Sequence, residues 1–375
     1  MKKILLRIFV LMMNFIYLFF KPLKQKNKVT FVSRQSNTET LDFRMLRENI
    51  ENNSSLQVDV LCKKLDKGVG NTFGYFLHMF SQMHSFATSK VIVTDSYCIL
   101  LSILRHKKNT ACIQTWHALS AVKKFGCETV GREDGSSEVV ATEMKMHHNY
   151  DYVLCSSDVT AEYFCKGFGC TKNKITKIGL PRIDYINQRK PDIRKAIFRK
   201  YPELEDKNKK NIIYVPTMRR GRGVDVNGII DRLDFNRFNL VVRLHPLEID
   251  NESYEKREGV IYDNDFLSYD MLEVADIVIS DYSSFVVESS LRDIPLFLYI
   301  YDVNEYGKYN GLNMDFESEA IGKYAFRNCD EMISSFDSAY DMDALRTFRK
   351  KYVDIDMADC TKQLSEFIER LVYEN

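Results

Sequence analysis

The pattern of apolar and polar positions alternates between short, continuous apolar runs and longer stretches with apolar residues at helical spacing. Short runs rich in β-branched residues are typical of buried parallel strands. They lie at Val29–Ser33, Gln57–Cys62, Lys90–Thr94, Thr110–Ile113, Tyr152–Cys155, Lys174–Ile178, Ile212–Val215, Asn239–Leu244 and Ala275–Ser280. Strands that alternate with helices predict an α/β fold with parallel sheets covered on both faces.

The distribution of these elements predicts two domains. The chain has 375 residues, of which 45% are apolar and 12% aromatic, so it can form more than one core. Residues 187–210 are charged and contain proline, as expected of a linker between two α/β sets. We therefore predict an N-terminal domain at 29–186, a C-terminal domain at 211–345 and a C-terminal helix within 346–375.

The charge balance excludes one class of function. With 53 Lys and Arg against 52 Asp and Glu, the net charge is +1, so overall basicity cannot supply affinity for nucleic acid. Any anion-binding site must therefore be local. The nine cysteines show no C-x-x-C pair, and we expect reduced thiols with neither zinc nor disulfides.

Residues 1–28 differ from the rest because they contain seven basic residues and no acidic ones. The stretch Ile8–Phe20 is apolar except for Asn14, and its thirteen residues are fewer than the roughly 20 that span a bilayer. It ends in aromatic residues and lysine rather than in the small residues of a signal-peptide cleavage site. We predict an interfacial helix on an anionic membrane surface, with a short tilted span or a buried core helix as alternatives.

Three predicted strand ends in the second domain carry groups that suit an anion. Arg219 follows the first of these strands, Arg243 and His245 follow the next, and Ser283 and Ser284 form a turn before a predicted helix. Ligands of α/β sheets bind at the carboxyl ends of strands, where arginine forks and helix N-termini favour phosphate. A solvated loop or an ordinary helix cap would explain each group alone. Together they predict a diphosphate site.

Two carboxylates accompany the serine turn. Asp281 stands in the turn itself, where we predict that it contacts the substrate, and Glu288 lies one helical turn beyond the serines. Glu288 could accept hydrogen bonds from ribose hydroxyls, with an ordinary helix carboxylate as the alternative.

The candidate for acid–base chemistry in the first domain is His117, beside Trp116, the only tryptophan. It follows a predicted strand end, where a neutral imidazole could take a proton from a hydroxyl near pH 7. Packing of the histidine against the tryptophan is the structural alternative. The pair His147 and His148 lacks a third ligand at metal spacing, so we predict no metal site.

Six ordered motifs resemble those of a known family. They read V-S-R-Q-S-N-T-E-T-L-D-F-R, Q-T-W-H-A-L-S-A-V-K-K-F-G, I-G-L-P-R-I-D, Y-V-P-T-M-R, R-L-H-P and D-I-V-I-S-D-Y-S-S-F-V-V-E. From about residue 29 to about residue 320 the chain resembles the CDP-glycerol glycerophosphotransferases of teichoic acid synthesis. Its W-H-A-x-x-A-x-K-K-F-G form resembles the short members, which add the first glycerol phosphate to a lipid-linked disaccharide.

The resemblance implies a GT-B architecture, in which two Rossmann-like domains face a cleft and the second holds the nucleotide. It implies that His117 supplies the base, with Trp116 beside it among the substrate-binding residues, and that Arg243, His245, Ser283 and Ser284 hold the diphosphate of CDP-glycerol. An acceptor hydroxyl on an undecaprenyl-diphosphate-linked saccharide would attack the β-phosphorus and release CMP. The protein would then work as a peripheral enzyme at the cytoplasmic face of the membrane.

Phosphoryl transfer needs mainly positioning and charge stabilisation, so we predict no obligatory cofactor and leave a loosely bound Mg²⁺ open. A CDP-ribitol transferase, a teichoic acid polymerase and a nucleotide-sugar glycosyltransferase are alternatives. Retaining sugar transferases often carry two glutamates eight positions apart, a spacing that Glu273 and Glu288 do not have. A membrane-tethered binding protein without activity is a further alternative.

Overall fold

The computed structural model describes residues 1–65, 69–133, 135–219, 223–244, 257–309 and 311–374. The chain forms two units, each with its own parallel sheet. The first, called domain 1, comprises residues 1–120, 124–184 and 354–375, and the second, called domain 2, comprises residues 121–123 and 185–353.

The sheet of domain 1 has the strand order β2-β1-β3-β4-β5-β6, and all its described pairings are parallel. Its strands are β1 Lys28–Ser33, β2 Gln57–Cys62, β3 Val91–Thr94, β4 Ala111–Gln114, β5 Tyr152–Cys155 and β6 Ile175–Lys177. Strands β1, β3 and β4 are buried along their whole length. This burial explains why their sequences are continuous apolar runs rather than alternating ones.

The sheet of domain 2 has the order β12-β11-β10-β7-β8-β9, again parallel throughout the described pairings. Its strands are β7 Lys210–Val215, β8 Phe238–Val242, β9 Val260–Tyr262, β10 Ile277–Ser280, β11 Leu296–Tyr299 and β12 Ala325–Phe326. The central strands β7, β8, β10 and β11 form the core of this domain, since nearly all of their residues are buried.

Each sheet has one point at which the strand order reverses. In domain 1 the chain runs from β1 to β2 on one side and then places β3 on the other side of β1. In domain 2 it runs from β7 through β8 to β9 and then places β10 on the other side of β7. Ligands of doubly wound sheets bind outside the carboxyl ends of the strands at such a reversal. The ends of β1 and β3, and of β7 and β10, are therefore the expected binding positions.

Helices connect the strands. They are α1 Lys2–Phe20, α2 Leu41–Asn53, α3 Val69–Thr88, α4 Ile99–Ile103, α5 Glu138–Glu143, α6 Asp158–Phe168, α7 Arg182–Asn187, α8 Pro191–Lys200, α9 Asn227–Ile230, α10 Ser268–Met271, α11 Phe285–Ser289, α12 Val303–Tyr309, α13 Cys329–Ser334, α14 Met342–Tyr352 and α15 Cys360–Glu374. Short 3-10 helices lie at Gly126–Thr129, Lys172–Lys174, Pro202–Glu205, Phe316–Ser318, Gly322–Tyr324 and Ser335–Asp337.

The N-terminal helix α1 packs on domain 1 and leaves an apolar face exposed. Met13 and Tyr17 are buried, and the Asn14 side chain donates to the Ile103 carbonyl (2.9 Å) and accepts from the Arg105 amide (2.9 Å). The opposite face consists of large apolar side chains that are each at least 41% exposed: Ile4, Leu5, Ile8, Leu11, Met12, Phe15, Leu18 and Phe19. By length and composition alone, α1 could also cross a membrane.

The C-terminal helix α15 belongs to domain 1, not to domain 2, which precedes it in the chain. The Asp184 carboxylate accepts hydrogen bonds from the amides of Cys360 (2.9 Å) and Thr361 (2.7 Å), and so caps the helix. At the other end, Lys90 Nζ donates to the Val372 carbonyl (3.0 Å). The unit boundary lies between residues 353 and 354, inside the segment 346–375 that the sequence pattern predicted as one C-terminal helix.

Candidate active site

The turn that carries His117 follows β4 and is strained. Trp116 has φ 61°, in the left-handed region that a bulky residue rarely adopts, at a cost of about 1 kcal/mol or more. Its amide donates to Gln114 Oε1 (2.8 Å), and its ring centroid lies 4.0 Å from that of His117 and 4.4 Å from that of Phe125. The turn therefore depends on surrounding contacts, and a change in those contacts would displace the histidine.

His117 is oriented by the end of β3. Its Nδ1 lies 3.1 Å from the carbonyl oxygen of Asp95 and 3.2 Å from the amide nitrogen of Gln35. The carbonyl can accept only if Nδ1 carries the proton, whereas the Gln35 amide can donate only in the other tautomer. Asp95 is buried and its carbonyl needs a donor, whereas Gln35 is exposed and can bind water. The need of the buried Asp95 carbonyl for a donor favours the tautomer with the proton on Nδ1. In this tautomer the lone pair that can accept a proton is on Nε2.

A buried ion pair fixes the backbone of His117. Arg182 Nη1 donates to the His117 carbonyl (2.7 Å), while the Arg182 amide (2.8 Å) and Nε (2.9 Å) donate to the two oxygens of Asp42. Arg182 and Asp42 are only 8% and 5% exposed. By itself, the motif G-L-P-R-I-D indicates only a tight turn at the end of the domain. Its arginine also connects that turn to the catalytic candidate, which the local pattern does not show.

The carboxylate of Asp95 has no hydrogen-bond partner among the described residues, although the residue is only 4% exposed. Burial raises its pKa to about 6, and the negative charge of Asp42 adds to the rise. Ser33, Ser96 and Arg182 oppose this shift only in part. A buried carboxylate without a partner at a strand-order reversal marks a candidate functional group. Asp95 was not among the residues predicted from the sequence.

In domain 2, Arg219 is enclosed by protein groups. It donates to Asp281 Oδ2 (2.7 Å), Asp302 Oδ2 (2.8 Å) and the Thr217 carbonyl (2.7 Å), and its side chain is 2% exposed. The ring of Tyr282 lies 4.9 Å from its guanidinium carbon. We predicted that Arg219 contacts a diphosphate. Its geometry instead favours a brace between the ends of β7 and β10.

Asp281 is the partner of this brace. It is fully buried, and its other oxygen, Oδ1, accepts from the Thr217 amide (2.9 Å). The next residue, Tyr282, donates its hydroxyl to Asp302 Oδ1 (2.9 Å). Because both oxygens of Asp281 bind protein groups, the arrangement favours a scaffold role over the substrate contact that we predicted.

The serine turn after β10 is half-buried and retains open hydroxyl capacity. Ser283 Oγ accepts from the Phe285 amide (3.2 Å), whereas Ser284, the N-cap residue, makes no side-chain capping bond. The helix that follows, Phe285–Ser289, has five residues and is shorter than the predicted one. Its dipole is correspondingly weak, so hydroxyl groups matter more here than the helix end.

Arg243 follows β8 and is held by a buried carboxylate. Its Nη1 donates to the Asp263 carbonyl (2.8 Å) and to Asp263 Oδ2, while Tyr201 donates to Asp263 Oδ1 (2.7 Å). The Arg243 Nε is buried without a hydrogen-bond partner in the described part of the chain. The guanidinium is thus fixed while one donor remains unused. His245 lies outside the described residues.

The side chain of Glu288 is buried in domain 2. It is 2% exposed, and its Oε2 accepts from the Tyr269 hydroxyl (2.8 Å). This position favours a structural role over the predicted contact with a ribose. Among the residues that the structure describes, no group of three or more His, Cys, Asp and Glu could hold a metal ion.

Two doubly wound parallel-sheet domains define a GT-B type fold, and solved structures share it. A wall teichoic acid polymerase TagF structure matches with a TM-score of 0.70 and 19% identity, over 100% of this chain and 98% of that one. A UDP-GlcNAc 2-epimerase from Neisseria meningitidis matches with a TM-score of 0.58 and 12% identity, over 92% and 100% of the two chains. The prediction of two Rossmann-like parallel-sheet domains of GT-B type is confirmed. These identities bear on the fold alone.

The chain belongs to the CDP-glycerol:poly(glycerophosphate) glycerophosphotransferase family, whose match extends over residues 12–370. The teichoic acid ribitol-phosphate primase of Bacillus spizizenii is 30% identical, with 92% of this chain and 91% of the relative covered. The teichoic acid glycerol-phosphate primase of Bacillus subtilis is 27% identical, with 99% of each chain covered. The family resemblance seen in the motifs is therefore confirmed, and the chain is a transferase of this family.

Proposed function

We propose that the protein transfers glycerol phosphate from CDP-glycerol to a lipid-linked saccharide in teichoic acid synthesis. The observation that carries the proposal is the similarity to a glycerol-phosphate primase over 99% of both chains. Polymerases of the same family also match, but the chain covers only 46% of the poly(ribitol-phosphate) polymerase of Bacillus spizizenii. Near-complete coverage of two primases supports addition of a first unit as the proposal, with polymerisation as the alternative.

In the proposed reaction His117 is the general base. Its Nε2 takes the proton of an acceptor hydroxyl, whose oxygen then attacks the β-phosphorus of CDP-glycerol. The new phosphate ester forms while the bond to the bridging oxygen breaks, and CMP leaves with that oxygen and its electron pair. The contacts of Asp95 and Arg182 with His117 support this assignment, because they orient the ring and favour the tautomer in which Nε2 carries the lone pair.

In the proposed binding of CDP-glycerol, Arg243, Ser283 and Ser284 donate to the diphosphate, and His245 stabilises charge on the departing CMP. The unused Nε of Arg243 and the absence of a capping bond at Ser284 support this part. Fixed donors aimed at developing charge are the main source of rate in phosphoryl transfer. We propose no obligatory metal. Turnover in excess EDTA tests this and reveals any dependence on Mg²⁺.

The test of the function is CMP release from CDP-glycerol in the presence of a polyprenyl-diphosphate-linked disaccharide. The His117→Ala variant should turn over roughly 10² to 10⁴ times more slowly than the parent, because a general base contributes about that factor. Its affinity for CDP-glycerol should stay unchanged. His148→Ala, at an exposed histidine of the same domain, is the matched control and should behave as the parent.

Two results would contradict this assignment. One is near-normal turnover in a folded His117→Ala protein. The other is a parallel loss of stability and activity, which is the result expected if His117 only packs against Trp116.

A second candidate substrate is CDP-ribitol, because the ribitol-phosphate primase shares 30% identity with the chain over 359 residues. The ratio of kcat/KM for the two CDP-alditols decides between them. If kcat/KM is much higher for CDP-glycerol than for CDP-ribitol, the primary proposal is supported. If it is much lower, CDP-ribitol is the substrate.

We also propose that α1 holds the enzyme on the cytoplasmic face of the membrane as a peripheral protein. Its exposed apolar row suits insertion into the headgroup boundary, and Lys21, Lys24 and Lys26 follow it in the chain. The contacts of Asn14 with domain 1 favour a helix that lies in the interface over one that spans the bilayer. An undecaprenyl-linked acceptor would be reached at that surface.

A further inference from the structure

A group of buried polar atoms without partners lies on one face of α3. Tyr75, His78 and Gln82 stand at positions i, i+3 and i+7 of this helix and so share a face. Tyr75 and Gln82 are 3% and 1% exposed. The hydroxyl of Tyr75, the Nε2 of His78 and the amide nitrogen of Gln82 are all buried without a hydrogen bond within the described chain.

Arg34, directly after β1, faces the same group. Its guanidinium carbon lies 6.0 Å from the ring centroid of Tyr75 and 5.8 Å from that of Tyr97. Its Nη1 donates to the Tyr97 carbonyl (2.8 Å), whereas its Nε is buried without a partner. Within the described ranges, no carboxylate pairs with Arg34. Arg34, Tyr75, His78 and Gln82 are called the α3 cluster below.

At neutral pH the open groups of the α3 cluster are mainly hydrogen-bond donors, and Arg34 carries its one positive charge. Burial raises the pKa of Tyr75 above its usual value and the nearby Cys98 adds to the rise, while the Arg34 charge and an interaction with the Gln82 side chain oppose it, so the hydroxyl keeps its proton at neutral pH. Burial lowers the pKa of His78, which is therefore neutral. Gln82 Oε1 lies 4.0 Å from the Cys98 thiol, which leaves the amide nitrogen as the open end of that side chain.

Buried donors without acceptors destabilise a fold, and a buried cation without a counter-ion does so more strongly. Such a group is explained if a ligand supplies the acceptors. We propose that the α3 cluster binds a phosphate or diphosphate group. Guanidinium forks and phenol donors match phosphate oxygens, and an anionic ligand would also neutralise Arg34.

The position of the cluster indicates which phosphate it binds. Arg34 and Gln35 are consecutive at the carboxyl end of β1, beside the strand-order reversal of domain 1, and Gln35 reaches His117. On α3, Phe73 and Leu77 are 63% and 53% exposed and offer an apolar surface next to Tyr75. An anion near the base and beside apolar surface fits the diphosphate of the lipid-linked acceptor, an assignment that rests on the proposed function.

The experiment titrates the full-length protein with inorganic pyrophosphate by calorimetry, with CDP saturating the nucleotide site. Arg34→Gln and Tyr75→Phe should each weaken binding roughly 10- to 100-fold, as expected for lost hydrogen bonds to a charged group. Arg44→Gln removes an exposed cation from α2 and should bind as the parent. Tyr75→Phe should also keep or raise the thermal midpoint, because the hydroxyl makes no geometrically good hydrogen bond within the described part of the chain.

A second arm measures KM for a polyprenyl-diphosphate-linked disaccharide and KM for CDP-glycerol. Arg34→Gln and Tyr75→Phe should each raise KM for the lipid-linked disaccharide roughly 10- to 100-fold, as for pyrophosphate binding, and leave KM for CDP-glycerol unchanged. Equal pyrophosphate affinity in parent and variants would overturn the site. Weakened pyrophosphate binding with an unchanged acceptor KM would overturn its assignment to the lipid. If the parent protein releases no CMP while both variants still bind pyrophosphate more weakly than the parent does, the proposed function is wrong and the anion site is supported.

Discussion

The buried carboxylate of Asp95 leads to a prediction about the stability of domain 1 and its dependence on pH. Burial keeps this group from ionising easily, so its pKa is about 6 in the folded protein against 3.8 in the unfolded chain. A raised carboxyl pKa contributes stability that is fully present below 3.8 and is lost as the pH rises through about 6. At neutral pH the charged form therefore destabilises domain 1. Asp95→Asn removes the charge and keeps the shape.

The size of the effect follows from the pKa difference of about two units. Each unit corresponds to about 1.4 kcal/mol, so Asp95→Asn should raise the free energy of unfolding by about 3 kcal/mol at pH 7. At pH 5, where most of the wild-type group is already protonated in the folded protein, the gain should fall to about 1.5 kcal/mol. This shrinking gain distinguishes charge removal from a general improvement in packing.

The assay is urea unfolding at both pH values, with Glu162→Gln as the control. Glu162 is an exposed carboxylate of the same domain, and its removal should change stability by less than about 0.5 kcal/mol. Unchanged or lower stability of Asp95→Asn at pH 7 would refute the reasoning. The variant keeps the backbone carbonyl that orients His117. A large loss of turnover in the stabilised protein would therefore show that the carboxylate, and not only the backbone carbonyl, contributes to activity.

The other predictions concern the brace, the serine turn and the N-terminal helix. Arg219→Gln leaves buried carboxylates unpaired and should lower the denaturant stability of domain 2 by about 3 kcal/mol or more, and an unchanged midpoint would contradict the bracing role. The double variant Ser283→Ala/Ser284→Ala should weaken CDP-glycerol binding at least about tenfold in calorimetry while it stays folded, and normal affinity would exclude the turn from the nucleotide site. The double variant Leu11→Ser/Phe15→Ser should pellet at least about tenfold more weakly with anionic vesicles, and unchanged pelleting would show that α1 does not insert.

The strands predicted from the sequence include every fully buried strand except β11. A strand covered on both faces needs a continuous apolar run, and such a run is visible without any knowledge of its neighbours. Three strands were not predicted: β9, β11 and β12. Two of these, β9 and β12, have only three and two residues, which is too short for an apolar pattern. They are strands because they pair with a neighbouring strand, and the sequence pattern does not show that pairing.

The sequence indicates those parts of the candidate site that lie within one short motif. It does not indicate the parts that residues far apart in the chain form together. His117 and the serine turn stand at strand ends within recognisable motifs. By contrast, Arg182 and Asp42 are 140 positions apart, and only the fold brings them together beside the turn that carries His117. The residues Arg219 and Glu288 were predicted to bind substrate from their position along the chain. Their burial depends on packing from distant segments, which the local pattern does not contain.

The capped helix α15 affects the order in which the chain can fold as it is synthesised. Domain 2 is nearly continuous in sequence, so it can fold soon after residue 353 has left the ribosome. Domain 1, which starts first, must wait for residues 354–375, because Leu364 and Ile368 are fully buried in it. At ordinary elongation rates the surface they cover stays open for roughly 10 to 40 seconds while domain 2 is made. Until α15 has been made, the nascent chain exposes the apolar surface that this helix covers together with the apolar face of α1, and we expect both to favour aggregation or the binding of a chaperone.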